Sequence, residues 1–194
     1  MTMKSFTKYK VAAIILFVCI GVFFTRLLIC DVAFFTKDYM SPTIKSDSLV
    51  IISRFRYIYT SPEYGDIVAI HNDNVNGSYY TLSRVIAAPG QHVEYKNNLL
   101  YIDGELVLED FISKIGSNTA NISQVVPPNH YFVVNDNRAS KKNDSRYADF
   151  GFVSEFDIKG KVVFVLYPFD KIGSPYSQSY DNSFLTNPTP TPVQ

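Results

Sequence analysis

The run Leu49-Val50-Ile51-Ile52 is the first of a series of short apolar stretches that extends to Tyr167 in a chain of 194 residues. β-branched and aromatic residues fill these stretches, and turn-forming residues stand between them, which is typical of strands joined by tight connections. After Asp31 no segment shows a sustained helical periodicity. The sequence therefore predicts an all-β domain with a sandwich-like or barrel-like arrangement.

Turn residues set the boundaries of the predicted strands. Asp103-Gly104 separates two of them and is a two-residue hairpin signal, and residues 72–77 predict another turn. The strands are predicted at residues 49–52, 54–59, 66–70, 79–86, 92–95, 99–102, 105–108, 131–134 and 162–167.

The N-terminal segment has the pattern of a membrane anchor. Three lysines lie within residues 1–10, and residues 11–24 carry no charge. With Arg26 included near its outer end, the apolar segment extends over residues 11–30, which is long enough to cross a bilayer. The lysines predict a cytoplasmic N-terminus at residues 1–10 and a single transmembrane helix at residues 11–30, with the remainder extracellular at the cell membrane.

A cleaved signal peptide is the alternative interpretation of the same segment. Cleavage requires small residues at the cut, whereas residues 23–30 are mostly bulky. We therefore predict an uncleaved anchor, a β domain at residues 31–175 and a flexible tail rich in Pro, Ser and Thr at residues 176–194.

Composition excludes several classes of function. Lys plus Arg and Asp plus Glu are both 18, which argues against a nucleic-acid partner. The two cysteines, Cys19 and Cys30, lie in or beside the apolar segment, so no disulfide framework is expected. His71, His92 and His130 are scattered without ligand partners at metal spacing, so we expect neither a metal site nor a cofactor.

Five segments, taken in order along the chain, carry a family resemblance. They are Met40-Ser41-Pro42-Thr43-Ile44, Tyr64-Gly65-Asp66-Ile67-Val68, Arg84-Val85-Ile86-Ala87-Ala88-Pro89-Gly90, Asn135-Asp136-Asn137-Arg138 with Asp144-Ser145-Arg146-Tyr147, and Gly151-Phe152-Val153 with Gly160-Lys161-Val162-Val163-Phe164. Their order and approximate spacing resemble those of type I signal peptidases. The resemblance implies a signal-peptidase-like fold of small antiparallel sheets or a barrel, with a cleft near the membrane that binds an extended peptide.

The positions that this resemblance assigns to catalysis are occupied by other residues. The family uses a serine nucleophile and a lysine general base, because a hydroxyl is a poor nucleophile until a base takes its proton. Here the nucleophile position is Tyr39, the base position is Ser83, and the position of an oxyanion donor is Lys37. A glycine position of the family is Asn135, and residues 138–144 form a loop one residue longer.

The resemblance also assigns binding and supporting roles. An extended peptide is expected to lie against Asp38, Tyr39, Met40, Ser41, Pro42, Leu82, Ser83 and Arg84. The charged side chains of the fourth segment are expected to form a supporting ion-pair network, because guanidinium and carboxylate groups pair bidentately. Its predicted members are Asp136, Arg138, Asp144 and Arg146.

Three functions remain open at this stage. The first is a non-catalytic assembly factor that binds a secreted or membrane-emerging protein, such as the pilin subunits or sortase machinery of Gram-positive pilus assembly. The second is an active signal peptidase with an unorthodox site, in which Lys37, Lys141 or Lys142 would serve Ser83. The third is a structural membrane protein without a peptide ligand.

Overall fold

A computed structural model describes residues 3–28, 30–74, 77–97, 99–109, 111–112, 121–140 and 142–176. The helices are α1 (Met3–Leu28) and α2 (Arg56–Tyr59), with 3₁₀ turns at Glu155–Asp157 and Phe169–Lys171. The strands are β1 (Cys30–Phe35), β2 (Ser48–Ser53), β3 (Ile67–Asn74), β4 (Gly77–Ala87), β5 (His92–Lys96), β6 (Leu99–Ile102), β7 (Glu105–Val107), β8 (Ile122–Val125), β9 (His130–Val134), β10 (Val153–Ser154) and β11 (Ile158–Tyr167).

The strands form two antiparallel sheets. The larger has the order β1-β2-β11-β3-β4-β9-β10, and the smaller has the order β7-β6-β5-β8. The prediction of a mostly β fold with antiparallel sheets is confirmed. The barrel alternative is wrong for the part of the chain that the structure describes, because the larger sheet ends in two edge strands, β1 and β10, that do not pair with each other.

Strand β2 shows why the sequence pattern predicts the core. Its side chains alternate between buried and half-buried positions, as expected when one face of a sheet packs against the interior. Val50 and Ile52 point inward and pack with Met40 and Leu82. Burying each such aliphatic side chain stabilises the fold by about 1.5–3 kcal/mol.

The Asp103-Gly104 hairpin forms as predicted between β6 and β7. Ile102 pairs with Glu105 across it, and both turn residues have positive φ, 53° for Asp103 and 86° for Gly104. This is the backbone that a two-residue type I′ turn requires.

The strand predicted at residues 54–59 is wrong, because this segment contains helix α2. Pairing ends at Ser53 on both sides of β2, where its last partners are Cys30 and Lys161. Beyond that point, no strand among the described residues pairs with the chain and holds it extended. Tyr57 instead turns inward and its hydroxyl donates to Asp66 Oδ2 at 2.9 Å.

Helix α1 leads into the sheet almost directly, since β1 begins two residues after the helix ends. The apolar side chains described along α1, including Ile14, Phe17 and Val22, are exposed. Within the described segments, no helix combines the length and hydropathy that crossing a membrane requires. The transmembrane helix predicted at residues 11–30 is therefore not supported by the structure.

The end of the described chain folds back onto the larger sheet. Gly173 bridges to Val165, and Tyr176 inserts its hydroxyl between two strands. That hydroxyl donates to Val162 O at 2.8 Å and accepts from Ile67 N at 3.0 Å. Tyr176, which we assigned to the flexible tail, is thus bound to the sheet, and the rest of that prediction lies outside the described residues.

Candidate functional site

The segment between β1 and β2 is held in place from the other end of the sequence. The carbonyl of Tyr39 accepts from Asn137 N at 3.0 Å, and Asn137 Nδ2 donates to the carbonyl of Asp38 at 2.7 Å. Met40 is 2% exposed and belongs to the core beneath. The backbone at position 39 is therefore fixed by residues nearly one hundred positions away.

The Tyr39 side chain forms part of the wall of an open groove of about 750 Å³. We call this the Tyr39 groove. It is lined by Lys37, Tyr39, Ile70, His71, Asn72, Asp73, Tyr79, Lys142, Asn143, Tyr147, Asp149, Phe150, Phe152, Val153 and Asp157. Lys37 and Tyr39 also line a much smaller apolar cavity beside Met40 and Leu82, so Tyr39 stands between the two spaces.

Burial, followed by the neighbouring Tyr79, raises the pKa of Tyr39 above its ordinary value of 10.0. Its hydroxyl is therefore protonated at neutral pH. A neutral phenol is neither a strong nucleophile nor a base.

Ser83 lies beneath the surface, with 0% of its area exposed. Its hydroxyl lies 3.2 Å from Asn135 Oδ1 and 3.1 Å from the carbonyl of Asn143, and can donate to either. Asn135 Nδ2 in turn donates to the carbonyl of Lys142 at 2.7 Å. Ser83 is not part of the groove lining, although we expected an extended peptide to lie against both Tyr39 and Ser83.

The four residues of the predicted supporting network are distributed over three ion pairs. Asp136 pairs with Arg84, whose Nε donates to Asp136 Oδ1 at 2.8 Å. Thr43 Oγ1 donates to the other carboxylate oxygen, Asp136 Oδ2, at 2.6 Å. Arg84 further donates to the carbonyl of Gly65 at 2.8 Å. This hub ties the first, second, third and fourth sequence segments together. Arg84, which we placed in peptide binding, is thus a buried structural residue.

Arg138 pairs with Glu109 at 2.5 Å, and it also donates to the hydroxyl of Tyr95 at 3.0 Å. The sequence analysis did not identify Glu109 as a member of the network. Asp144 and Arg146 form the third pair, with Arg146 Nη2 donating to Asp144 Oδ2 at 2.8 Å. Nothing in the pattern around Glu109 distinguishes it from a surface carboxylate, because its partner is 29 residues away.

Of the residues assigned to peptide binding, Met40, Leu82, Ser83 and Arg84 have buried side chains. Asp38 is exposed, and Tyr39, Ser41 and Pro42 are half-buried. Side chains at the buried positions contact the core, so any contribution they make to binding has to come from their main chain.

The main chain of β4 offers such a contribution along one edge. Pairing with β9 begins only at Arg84, whereas pairing with β3 extends to Gly77. Val85 N donates to Asp66 O on the β3 side. In an antiparallel strand, successive residues direct their backbone N–H and C=O groups alternately to the two sides of the strand. Since Val85 bonds on the β3 side, the backbone groups of Tyr80 and Leu82 point to the opposite edge. No strand among the described residues pairs with them there.

The described residues contain no group of His, Cys, Asp and Glu side chains arranged to hold a metal ion. The chemistry available at the site therefore has to be judged from Tyr39, Ser83 and their immediate partners.

Comparison with known proteins decides the family. Residues 8–167 match the family described as signal peptidase, peptidase S26. The chain belongs to this family. A probable signal peptidase I-1 from Synechocystis sp. is 30% identical over 155 residues, covering 76% of this chain and 76% of that protein. Signal peptidase IB of Staphylococcus aureus is 34% identical over 151 residues, covering 69% of this chain and 76% of the relative. A crystal structure of a signal peptidase I from Enterococcus faecalis is 31% identical, covers 53% of this chain and 97% of that one, and has a TM-score of 0.43.

Membership of the signal peptidase family confirms the resemblance drawn from the sequence segments. In this member, the hydrogen-bond partners of Ser83 are an amide oxygen and a backbone carbonyl, and neither takes a proton from a serine at neutral pH. Lys37 and Lys142 line the groove above, and Lys141 lies outside the described residues.

Proposed function

We propose that this signal peptidase homologue binds an extended peptide without cleaving it. The observation that carries the proposal is the state of Ser83, which is fully buried and, among the residues that the structure describes, hydrogen-bonds only to groups that cannot activate it. A serine without a base in reach has very little nucleophilicity. The phenol at position 39 is protonated and does not replace that base.

The unpaired edge of β4 supports the binding half of the proposal. A peptide that pairs with Tyr80 and Leu82 adds a strand to the larger sheet, which uses main-chain groups and does not depend on the lost catalytic side chains. Such a peptide would pass beside Tyr39. The tyrosine ring stands at the position of the family's serine nucleophile and narrows the groove there. We therefore expect bound segments to differ from ordinary signal peptides.

The alternative of an active peptidase with an unorthodox site requires a different arrangement. Of the three lysines considered for this role, Lys37 and Lys142 line the groove, and Ser83 would have to leave its buried hydrogen bonds to meet either of them there. Breaking those bonds leaves the Asn135 amide oxygen buried without its donor, which costs about 1–3 kcal/mol. The structure therefore supports the hypothesis of a non-catalytic protein over that of an active peptidase.

The partner we propose is a secreted protein emerging from the membrane. Signal peptidase I homologues act on secreted precursors, and an open strand edge suits any extended segment of such a chain. Pilin subunits or the sortase machinery of Gram-positive pilus assembly are the specific partners that we propose, in an assembly role resembling that of a chaperone.

We also propose that the β domain works outside the cell, attached to the membrane through α1. Exposed apolar side chains along that helix, such as Ile15 and Phe23, favour an apolar environment, and the lysines before them favour a cytoplasmic N-terminus. Fractionation of cells and protease treatment after wall removal test this proposal. Recovery of the intact protein in the soluble fraction would contradict it.

The binding proposal is tested with the full chain in detergent or membranes and a synthetic peptide spanning the cleavage region of a secretory precursor. A photo-crosslinker at Tyr39 should capture the peptide, while one at Tyr59, which is 76% exposed and outside the groove, should not. Mass spectrometry should find the peptide uncut. Equal capture at both positions would refute the groove as the binding surface, and a cut peptide would refute the loss of catalysis.

A further inference from the structure

A buried polar bridge joins β4 to the loop that follows β9. It consists of Ser83, the side chain of Asn135, and the carbonyls of Lys142 and Asn143. We call this the Ser83 bridge. Ser83 and Asn135 are both 0% exposed, so neither of these two side chains contacts solvent, whereas Lys142 and Asn143 line the Tyr39 groove.

The bridge fills the space around the Ser83 side chain. The hydroxyl already lies within hydrogen-bonding distance of Asn135 Oδ1 and Asn143 O. Protein interiors are close-packed, and adding methylenes to a filled site forces neighbours to move. A lysine at position 83 would have to displace the Asn135 amide before its ammonium could be accommodated.

Removing the Asn135 amide would leave a different site behind. The carbonyls of Lys142 and Asn143, which now accept from Asn135 and Ser83, would face the vacated space. An ammonium group has three donors and no acceptor, so two backbone carbonyls suit it. The amide nitrogen of Asn135 already donates to one of these carbonyls, Lys142 O, at 2.7 Å.

We infer that Asn135 is the residue that excludes lysine from position 83. The chain thus departs from the family pattern at two coupled positions, Ser83 on β4 and Asn135 directly after β9. Replacing Ser83 by lysine alone does not provide the space that the lysine side chain needs. Asn135 acts by positioning its neighbours and touches no reacting atom. The inference concerns the interior of the domain and does not rest on the proposed peptide binding.

The experiment is a double-mutant cycle on the full chain, read from the unfolding equilibrium. Ser83→Lys should destabilise the protein strongly when Asn135 is present, and Asn135→Ala should relieve a large part of that penalty. We expect the two substitutions to couple by roughly tenfold or more in the unfolding equilibrium constant, within the range that contacting residues show. Additive effects of the two substitutions would overturn the inference.

Asn137→Ala is the matched control background. Asn137 lies two residues beyond Asn135 and bonds to Asp38 rather than to Ser83, so it should leave the Ser83→Lys penalty unchanged. Relief of equal size by both alanine substitutions would also overturn the inference.

Ser83→Met in the same two backgrounds separates volume from charge. The unbranched methionine tests whether the Asn135 amide fills the space that a longer side chain needs. We expect coupling of the same sign with Asn135→Ala. If the lysine variants do not fold, the methionine pair decides by the same criterion, and additivity there would refute the exclusion.

Discussion

Arg84 and Asp136 form a bidentate ion pair in which the two side chains are 4% and 0% exposed. Arg84 comes from β4 and Asp136 follows β9, 52 residues later. Thr43 completes the coordination of the carboxylate. A carboxylate held by three donors from distant segments stabilises the fold only while all of its partners are present, because a buried charge without its partner is costly.

We expect Asp136→Ala to lower the free energy of unfolding by about 3–5 kcal/mol, since it leaves the Arg84 guanidinium buried and unpaired. Thermal or urea unfolding measures the change. Asp170→Ala serves as the control, because Asp170 pairs with Lys45 on the surface and exposed pairs contribute little. Similar melting temperatures for the two variants would contradict the structural role of Asp136.

Tyr39→Ala should weaken binding of an extended peptide by roughly tenfold, because truncating an aromatic anchor at an interface commonly costs this much. Tyr59→Ala is the matched control, since its exposed ring lies outside the Tyr39 groove. Fluorescence anisotropy with a labelled peptide measures the affinity, and circular dichroism checks that both variants fold. Equal affinities in the two variants would place the binding surface elsewhere.

The purified chain should show no turnover of a secretory precursor, and the double variant Tyr39→Ser with Ser83→Lys should show none either. The second expectation follows from Asn135, whose amide fills the space that the lysine requires. Mass spectrometry of the precursor measures cleavage. Turnover by the unaltered chain that disappears in Ser83→Ala would show that Ser83 is a working nucleophile.

Alkaline pH should destabilise the domain through its buried tyrosines. Burial raises the pKa of Tyr95 and of Tyr176 above the ordinary value of 10.0, so the folded state binds these protons more tightly than the unfolded state does. Their contribution is complete below pH 10.0 and is lost as the pH rises toward their folded-state pKa values. Tyr176 as a whole is 39% exposed, but its hydroxyl is hydrogen-bonded between two strands.

Chemical unfolding at neutral and alkaline pH measures this effect. Tyr176→Phe should be less stable at neutral pH, because Ile67 N loses its acceptor, and should show a weaker decline as the pH rises. A decline as steep as that of the unaltered chain would show that Tyr176 ionises as freely when folded as when unfolded.

Local patterns predicted most of the sheet. Alternation in β2 and the positive-φ turn at Asp103-Gly104 each have a cause within a few residues, so sequence alone reveals them. Strands β1, β8 and β10 were missed because their short segments acquire extended structure only by pairing with β2, β5 and β9, respectively. The error at α2 has the same origin, since the end of the β2 ladder at Ser53 is set by distant strands.

The family resemblance predicted which positions matter but not how their side chains are placed. It identified Tyr39, Ser83 and Asn135 as departures from the usual pattern. That Ser83 is buried and bonded to Asn135, 52 residues away, depends on the packing of β4 against β9. Sequence spacing carries no information about that contact.

The Thr43–Asp136–Arg84 hub also bears on how the chain acquires its structure during synthesis. Thr43 and Asp136 are 93 residues apart, so the hub closes only after most of the domain has been made. Closing long loops slows folding. Until that closure, Thr43 and Arg84 lack their common acceptor, and β4 lacks the strand that covers it from Arg84 onward. Before β9 is made, much more of β4 is open to intermolecular pairing than in the finished protein, so aggregation during synthesis is a hazard of this topology.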